Sequence, residues 1–128
     1  MRKVAHLIIH DDKNMIMHIR GQDHTLGFPG GIIEPHESIV EGLLREVDEE
    51  YHFIPNPSLI KFATVIVDNQ TKYYLFHLQV DDVKSMLSIF KPDNKEVCKI
   101  DILPFNMEVF KYNLHSIAKR QLQKIFAN

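Results

Sequence analysis

Residues 31–53, GIIEPHESIVEGLLREVDEEYHF, constrain this chain more than any other segment. Glu46, Glu49 and Glu50 fall at i, i+3 and i+4, so on an α-helix they share an arc of roughly 100°. Like charges at this spacing repel, at a cost of roughly 0.2–0.5 kcal/mol per pair. A hard divalent cation would remove this cost, because Mg²⁺ binds oxygen ligands and is commonly shared with substrate phosphates. The alternative is an acidic helix face exposed to solvent.

The spacing of a glycine and several charged residues around these glutamates matches a known motif. Gly31 is followed after five residues by Glu37, and after seven more by the run of residues 45–50, REVDEE. This spacing resembles the Nudix box, the motif of a family that cleaves nucleoside diphosphates linked to another moiety. One position departs, because the family usually has glycine where this chain has His52. That glycine ends the helix in a left-handed conformation, which costs other residues about 1–2 kcal/mol.

The resemblance implies a metal site. It assigns Glu46, Glu49 and Glu50 as ligands of Mg²⁺ or Mn²⁺, with the carbonyl of Gly31 completing the shell. Metal ions neutralise the charge of a diphosphate and lower the pKa of bound water, which would attack a metal-bridged phosphate. Glu46 and Glu49 are therefore expected to be catalytic, together with Glu96. In many Nudix enzymes a glutamate in the loop that matches Glu96 is a metal ligand or general base.

Two further residues, Glu37 and Arg45, are expected to support the site. Glu37 would join through a water or hold the helix and the preceding loop in place. Arg45 would orient the glutamates by ion pairing rather than contact substrate. For Glu96, the competing interpretation is an exposed glutamate at the start of a strand.

A looser likeness covers most of the chain. Residues 26–31, 95–104 and 118–125 are similar to the small-nucleolar-RNA-decapping and inosine-diphosphate-hydrolysing branch of the family. The residues that match its nucleotide contacts are His6, Arg20 and Phe28. Stacking a base on an aromatic ring contributes about 1–3 kcal/mol, and a guanidinium can bind phosphate through two hydrogen bonds. Ordinary packing or surface roles are the alternatives for all three.

The pattern of apolar residues predicts the fold class. Strands are predicted over residues 3–10, 15–20, 59–68, 73–80 and 96–103, with 59–68 and 73–80 forming a hairpin. A helix is predicted to begin at Ser38, in a region that Pro55 and Pro57 end, and two more are predicted, one from Asp81 or Asp82 through Phe90 and one over 113–127. Ser38 and Glu41 have the spacing of a capping box at the start of the first helix. Strands mixed with helices predict an α/β protein, and the resemblance implies a Nudix-type α/β/α sandwich with a mixed sheet. The length of 128 residues suits a single domain over residues 1–128.

Composition restricts the partners. The formal net charge is only −2, so no global field would draw the chain to nucleic acid or membrane. Cys98 is the only cysteine, which excludes an intramolecular disulfide and favours a reducing compartment. No apolar stretch approaches transmembrane length. We therefore expect a soluble intracellular protein without a membrane partner, and a homodimer remains open because Nudix domains often pair.

Together these features predict a Mg²⁺- or Mn²⁺-dependent pyrophosphohydrolase of nucleoside diphosphate derivatives. The likeness to one branch points to a 5′-capped RNA or an inosine-type diphosphate. A nucleotide sugar or dinucleoside polyphosphate is the alternative within the same chemistry. A non-catalytic domain that binds a nucleotide or RNA is the alternative from another class. Basic residues near the C-terminus, between 111 and 124, could hold RNA phosphates or form a solvated helix face.

Overall fold

A computed structural model describes residues 1–127 of the chain. Its strands are β1 (Arg2–His10), β2 (Asn14–Arg20), β3 (Leu26–Gly27), β4 (Gly30–Ile32), β5 (Lys61–Asp68), β6 (Thr71–Gln79) and β7 (Val97–Pro104). Its α-helices are α1 (Ile39–Tyr51), α2 (Val83–Met86) and α3 (Ser116–Phe126), and two 3₁₀ turns lie at Pro57–Leu59 and Met107–Lys111.

The seven strands form one mixed sheet. Its main path runs β3-β2-β1-β6-β5, with β4 pairing to β1 and β7 pairing to β2. Strand β1 is parallel to β6 and antiparallel to β4, where His6 lies opposite Gly30. The central position of β1 explains the apolar run of residues 7–9 on this strand, because both of its faces are covered.

Each face of the sheet packs against one long helix. Alternate residues of β1 point to opposite sides, so Leu7 and Ile9 join α1 through Leu43 and Val47 in one apolar layer. Ile8 lies in the other layer, where Leu122 of α3 is also buried. The predicted α/β fold with a mixed sheet between helices is therefore confirmed.

Helix α1 begins as its sequence predicts. Ser38 accepts a hydrogen bond from the Glu41 backbone N–H, and the Glu41 carboxylate accepts one from the Ser38 N–H, so the capping box is complete. The helix ends at Tyr51, and His52 adopts the left-handed conformation at φ 53° and ψ 45°. This chain therefore keeps the conformation for which the family usually uses glycine.

Two predicted helices are shorter than expected. Asp82, one of the two predicted caps, caps α2, but this helix ends at Met86 rather than residue 90. Helix α3 begins at Ser116 rather than 113, because the His115 ring nitrogen accepts a hydrogen bond from Ile117 N–H and so starts the helix there. The turn Met107–Lys111 lacked a periodic apolar signal and was not predicted.

Gly30 permits the close approach of β4 to β1. Its φ is +143°, and a Cβ atom there would lie 1.9 Å from the backbone oxygen of Ala5. We expect Gly30→Ala to lower the free energy of unfolding by more than about 2 kcal/mol, since both the dihedral and the contact are unfavourable. Urea unfolding monitored by circular dichroism measures this change.

The matched control is Gly27→Ala. The nearest neighbour of a Cβ at Gly27 would be the flexible Arg20 side chain, at 3.2 Å, so the free energy of unfolding of Gly27→Ala should stay within about 1 kcal/mol of the natural protein. Equal stability of the two variants would contradict the close approach of β4 to β1.

Candidate active site

Three carboxylates meet beside the C-terminal half of α1. Ligand oxygens of Glu46, Glu50 and Glu96 all lie within 4.8 Å of one another. Glu46 and Glu50 are one helical turn apart on α1, whereas Glu96 comes from the loop before β7. The structure therefore brings two of the predicted helix ligands together with the predicted loop carboxylate.

Glu50 is the most buried member of this cluster. Its side chain accepts a hydrogen bond of 2.7 Å from the backbone N–H of Gly30, and the residue is 5% exposed. Burial, reinforced by the charges of Glu46 and Glu96, raises the pKa of Glu50 to about 9. Without a compensating cation, this carboxyl group therefore holds its proton at neutral pH.

Gly31 leaves the space that the Glu46 carboxylate fills. A Cβ atom at position 31 would lie 2.5 Å from Cδ and from Oε2 of Glu46, so any side chain there would displace the carboxylate. Burial raises the pKa of Glu46, which Arg45 counteracts. The requirement for glycine here follows from this space, and the role of its carbonyl as a ligand stays a prediction.

Arg45 holds the acidic residues around it in fixed positions. Its Nε and Nη2 atoms donate to the two carboxylate oxygens of Glu37 at 2.7 and 2.9 Å. Its Nη1 atom donates to Glu46 at 3.0 Å, and Nη2 also donates to the carbonyl of Ile32 at 3.1 Å. The guanidinium holds the pKa of Glu37 at about 2. Arg45 thus contacts Glu37 and Glu46 directly, and its role in orienting the glutamates stays a prediction.

Glu49 lies apart from the three clustered carboxylates. Its carboxylate accepts a hydrogen bond of 3.2 Å from Arg45 Nη1, and its side chain is 58% exposed. Of the three predicted helix glutamates, Glu46 and Glu50 thus lie in the cluster with Glu96, whereas Glu49 lies outside it and shares the Nη1 donor of Arg45 with Glu46. The roles predicted for Glu49 in metal binding and catalysis stay predictions.

A cleft of about 140 Å³ adjoins the carboxylates. It is lined by His6, His18, Arg20, Gln22, Phe28, Gly30, Glu50 and Glu96. The three residues predicted to contact a nucleotide, His6, Arg20 and Phe28, all lie on its wall. Their proximity to Glu50 and Glu96 places the predicted substrate contacts and the carboxylate cluster in one site.

His18 lines this cleft although the sequence did not single it out. Its Nδ1 atom lies 2.8 Å from the hydroxyl of Tyr51, the last residue of α1. Burial lowers the pKa of His18 to about 4, so the ring is neutral at physiological pH. An alternating position on a strand carries no signal for this contact, because Tyr51 is 33 residues away in sequence.

Gln121 of α3 is a second residue that the sequence did not single out. Its Nε2 atom lies 3.2 Å from Nδ1 of His6, and its buried Oε1 atom has no hydrogen-bond partner among the described residues. Burial also lowers the pKa of His6, to about 3. The neutral ring is stacked near Tyr73 at 6.3 Å between centroids. Gln121 and Tyr73 thus fix the orientation of His6 at the cleft wall.

A comparison with models of known protein families identifies the family of this chain. The family model described as NUDIX domain matches residues 1–123. The chain belongs to the NUDIX family. The predicted membership of the Nudix family is therefore confirmed, whereas the finer likeness to the decapping and inosine-diphosphate branch is not supported by the comparisons. No curated protein sequence matches the chain significantly.

Solved structures show the same fold at low sequence identity. MutT from Aliivibrio salmonicida and Vibrio cholerae superposes with a TM-score of 0.77 at 13% identity, over 98% of this chain and 97% of that one. The NUDIX domain of Shewanella oneidensis NrtR, solved with ADP ribose, gives 0.74 at 14% identity over 95% and 84%. A C. elegans Ap4A hydrolase gives 0.64 at 16% identity over 97% and 94%.

One of the similar proteins is much longer than this one. The chain spans 43% of the length of a MutT/nudix family protein from Enterococcus faecalis, which it matches with a TM-score of 0.66 at 11% identity over 80% of its own length. Among residues 1–127, no helix is both long and apolar enough to cross a membrane.

The buried imidazole of His18 should make stability depend on pH. Its pKa is about 4 when folded and about 6.5 when unfolded, so the unfolded state binds more protons between these values. The free energy of unfolding should therefore fall as pH is lowered from 6.5 to 4. His18→Asn keeps a polar atom near Tyr51 and should reduce this fall by about 1–3 kcal/mol in urea titrations at each pH.

His24→Asn is the control for this experiment. His24 is exposed and has a positive φ of 57°, which asparagine tolerates. Its substitution should leave the pH dependence of stability unchanged. A His18→Asn variant with the same acid sensitivity as the natural protein would show that folding does not lower the pKa of His18.

Proposed function

We propose that this Nudix hydrolase is a Mg²⁺- or Mn²⁺-dependent pyrophosphohydrolase of nucleoside diphosphate derivatives. The observation that carries the proposal is the contact between two sets of residues in one site. The carboxylates of Glu46, Glu50 and Glu96 converge, and the adjoining cleft is lined by an imidazole, a guanidinium and an aromatic ring. The carboxylates suit a hard divalent cation, and the residues of the cleft suit a nucleobase with its phosphates.

The donor set fits a divalent cation. Three ionised carboxylates within 4.8 Å would repel one another, and this repulsion adds to burial in raising the pKa of Glu50 to about 9 in the absence of a cation. Oxygen ligands of this kind bind Mg²⁺ or Mn²⁺, and replacing the proton of Glu50 by a metal ion would release the repulsion. Glu46, Glu50 and Glu96 would hold the ion, with the Gly31 carbonyl as a further proposed ligand, whereas Glu49 lies outside the cluster and is proposed to act in catalysis.

The cleft is smaller than a whole nucleotide site. Small-molecule pockets typically measure roughly 300–1,000 Å³, whereas this cleft measures about 140 Å³. It would therefore take one part of the substrate, with His6 and Phe28 against a base and Arg20 against a phosphate. The remainder would lie over the open carboxylate cluster. Arg20 now donates to Asp23 and Gln22, and a phosphate would compete with these two acceptors.

The reaction would be hydrolysis of a phosphoanhydride. A bound divalent ion neutralises the negative oxygens that otherwise repel a nucleophile. The oxygen of water forms a bond to one phosphorus, and the bond from that phosphorus to the bridging oxygen breaks. A carboxylate accepts the proton of the water, and the bridging oxygen leaves with the second phosphate. Glu96 and Glu49 are the candidate bases, because both are exposed to solvent.

Within this chemistry, the proposed substrates are purine diphosphates such as inosine diphosphate, or 5′-capped RNA. The basic side chains near the C-terminus give RNA little separate support, because three of them already bind the chain itself. Lys111 pairs with Glu108, Arg120 with Asp68, and Lys124 with the Val65 carbonyl. A nucleotide sugar or dinucleoside polyphosphate is the alternative substrate, which agrees with the ADP ribose and Ap4A named for two similar structures.

A non-catalytic domain that binds a nucleotide or RNA is the competing function. It would use the same cleft but would not need the carboxylate cluster to bind an ion. Turnover separates the two functions. The natural protein with Mn²⁺ should release monophosphate from at least one member of a panel of inosine diphosphate, capped RNA, ADP-ribose and diadenosine polyphosphates. Binding without product from any of them would favour the non-catalytic domain.

Three glutamine variants test the roles of the helix glutamates. Glu46→Gln and Glu50→Gln should weaken Mn²⁺ binding by at least about tenfold, because each removes a charged ligand from the cluster. Glu49→Gln should leave Mn²⁺ binding to the free enzyme within about threefold, since Glu49 lies outside the cluster, yet lower kcat by about 10- to 100-fold. Electron paramagnetic resonance measures the free Mn²⁺, and phosphate release measures kcat.

Asp48→Asn is the matched control, because Asp48 is an exposed acidic residue of the same helix outside the cluster. It should change neither Mn²⁺ binding nor kcat by more than about twofold. Loss of Mn²⁺ binding in Glu49→Gln, with binding retained in Glu50→Gln, would reverse the proposed roles of these two residues.

A further inference from the structure

The loop that carries Glu96 is fixed to the end of α1 by its backbone. Lys91 N–H donates to the carbonyl of Tyr51 at 2.9 Å, and Asp93 N–H donates to the carbonyl of Glu50 at 3.2 Å. The carbonyls at the C-terminal end of a helix lack partners within the helix. Here they are used to hold the segment of residues 91–96, which we call the Glu96 loop.

Side chains and a glycine complete the attachment of the Glu96 loop. The Asp93 carboxylate accepts hydrogen bonds from the N–H groups of Lys95 and Val97 at 2.9 and 3.0 Å. On the opposite side, Gly21 N–H donates to the carbonyl of Glu96 at 2.9 Å. A Cβ at Gly21 would lie 1.8 Å from the Lys95 oxygen, so this approach requires glycine.

His52 adds a side-chain hydrogen bond from the end of α1 to this loop. Its Nδ1 atom lies 2.8 Å from the carbonyl of Lys91, and Nδ1 is therefore the donor. The same residue has the left-handed conformation at φ 53°, which glycine would adopt without strain. Glycine could not form this bond, because it has no side chain.

We propose that His52 is a positioning residue that fixes the Glu96 loop to α1 and so holds Glu96 beside Glu50. In this chain the histidine replaces the usual glycine of the motif and supplies a hydrogen bond in return for an unfavourable backbone conformation. The inference rests on the proposed function for its effect on catalysis. The attachment of the loop itself can be measured without any substrate or metal.

Two substitutions separate the bond from the backbone conformation. His52→Gly accepts the left-handed conformation and removes the bond. His52→Asn also accepts this conformation, and its Nδ2 atom occupies the same place in the side chain as Nδ1 of histidine, one bond beyond Cγ. The helix end should therefore be retained in both variants, and only asparagine should keep the bond to Lys91.

Amide hydrogen exchange of the metal-free protein is the first measurement. In His52→Gly the amides of Lys91, Asp93 and Val97 should exchange about 3- to 10-fold faster, as expected for the loss of one hydrogen bond. In His52→Asn they should exchange as in the natural protein. The attachment is overturned if His52→Gly exchanges as slowly as the natural protein, or if His52→Asn exchanges as fast as His52→Gly.

Turnover is the second measurement, on a substrate that the natural protein hydrolyses with Mn²⁺. His52→Gly should lower kcat about 3- to 10-fold with KM within about twofold, and His52→Asn should restore kcat. Unchanged kcat in His52→Gly, despite faster exchange, overturns the effect on Glu96. Failure of the proposed function gives a different result, because the natural protein would then show no turnover while the exchange pattern remained.

Discussion

The hydrogen bond from the Gly30 backbone to Glu50 is the interaction on which the site depends. It joins β4 to α1 at 2.7 Å and buries a carboxylate that is 5% exposed. Gly30 can make this bond only because its backbone runs against Ala5 of β1, where no Cβ atom would fit. The fold of the sheet and the position of the carboxylate are thus set by the same close approach.

Two groups of contacts then arrange the remaining carboxylates around Glu50. Arg45 binds Glu37, Glu46 and Glu49, which offsets repulsion along the acidic face of α1. The Glu96 loop is attached to the carbonyls at the end of the same helix. One helix therefore supplies two carboxylates directly and positions the third through its C-terminal end, where His52 takes the left-handed conformation.

The sequence predicted the parts of the site that follow from local periodicity and spacing. The capping box at Ser38, the turn spacing of Glu46 and Glu50, and the hairpin of β5 and β6 all depend on neighbouring residues, and all are present. The separation of Glu49 from Glu50 could not be predicted, because it depends on which side-chain conformation Arg45 stabilises. Contacts between residues far apart in sequence could not be predicted either. His18 contacts Tyr51 across 33 positions, and Gln121 contacts His6 across 115.

The central claim is that Glu46, Glu50 and Glu96 share one divalent cation. Anomalous diffraction from a crystal soaked in Mn²⁺ with a non-hydrolysable nucleoside diphosphate analogue tests it most directly. The account predicts a manganese peak within about 2.5 Å of an oxygen from each of these three carboxylates. Ordered nucleotide in the cleft, with no manganese peak beside the three carboxylates, would contradict it.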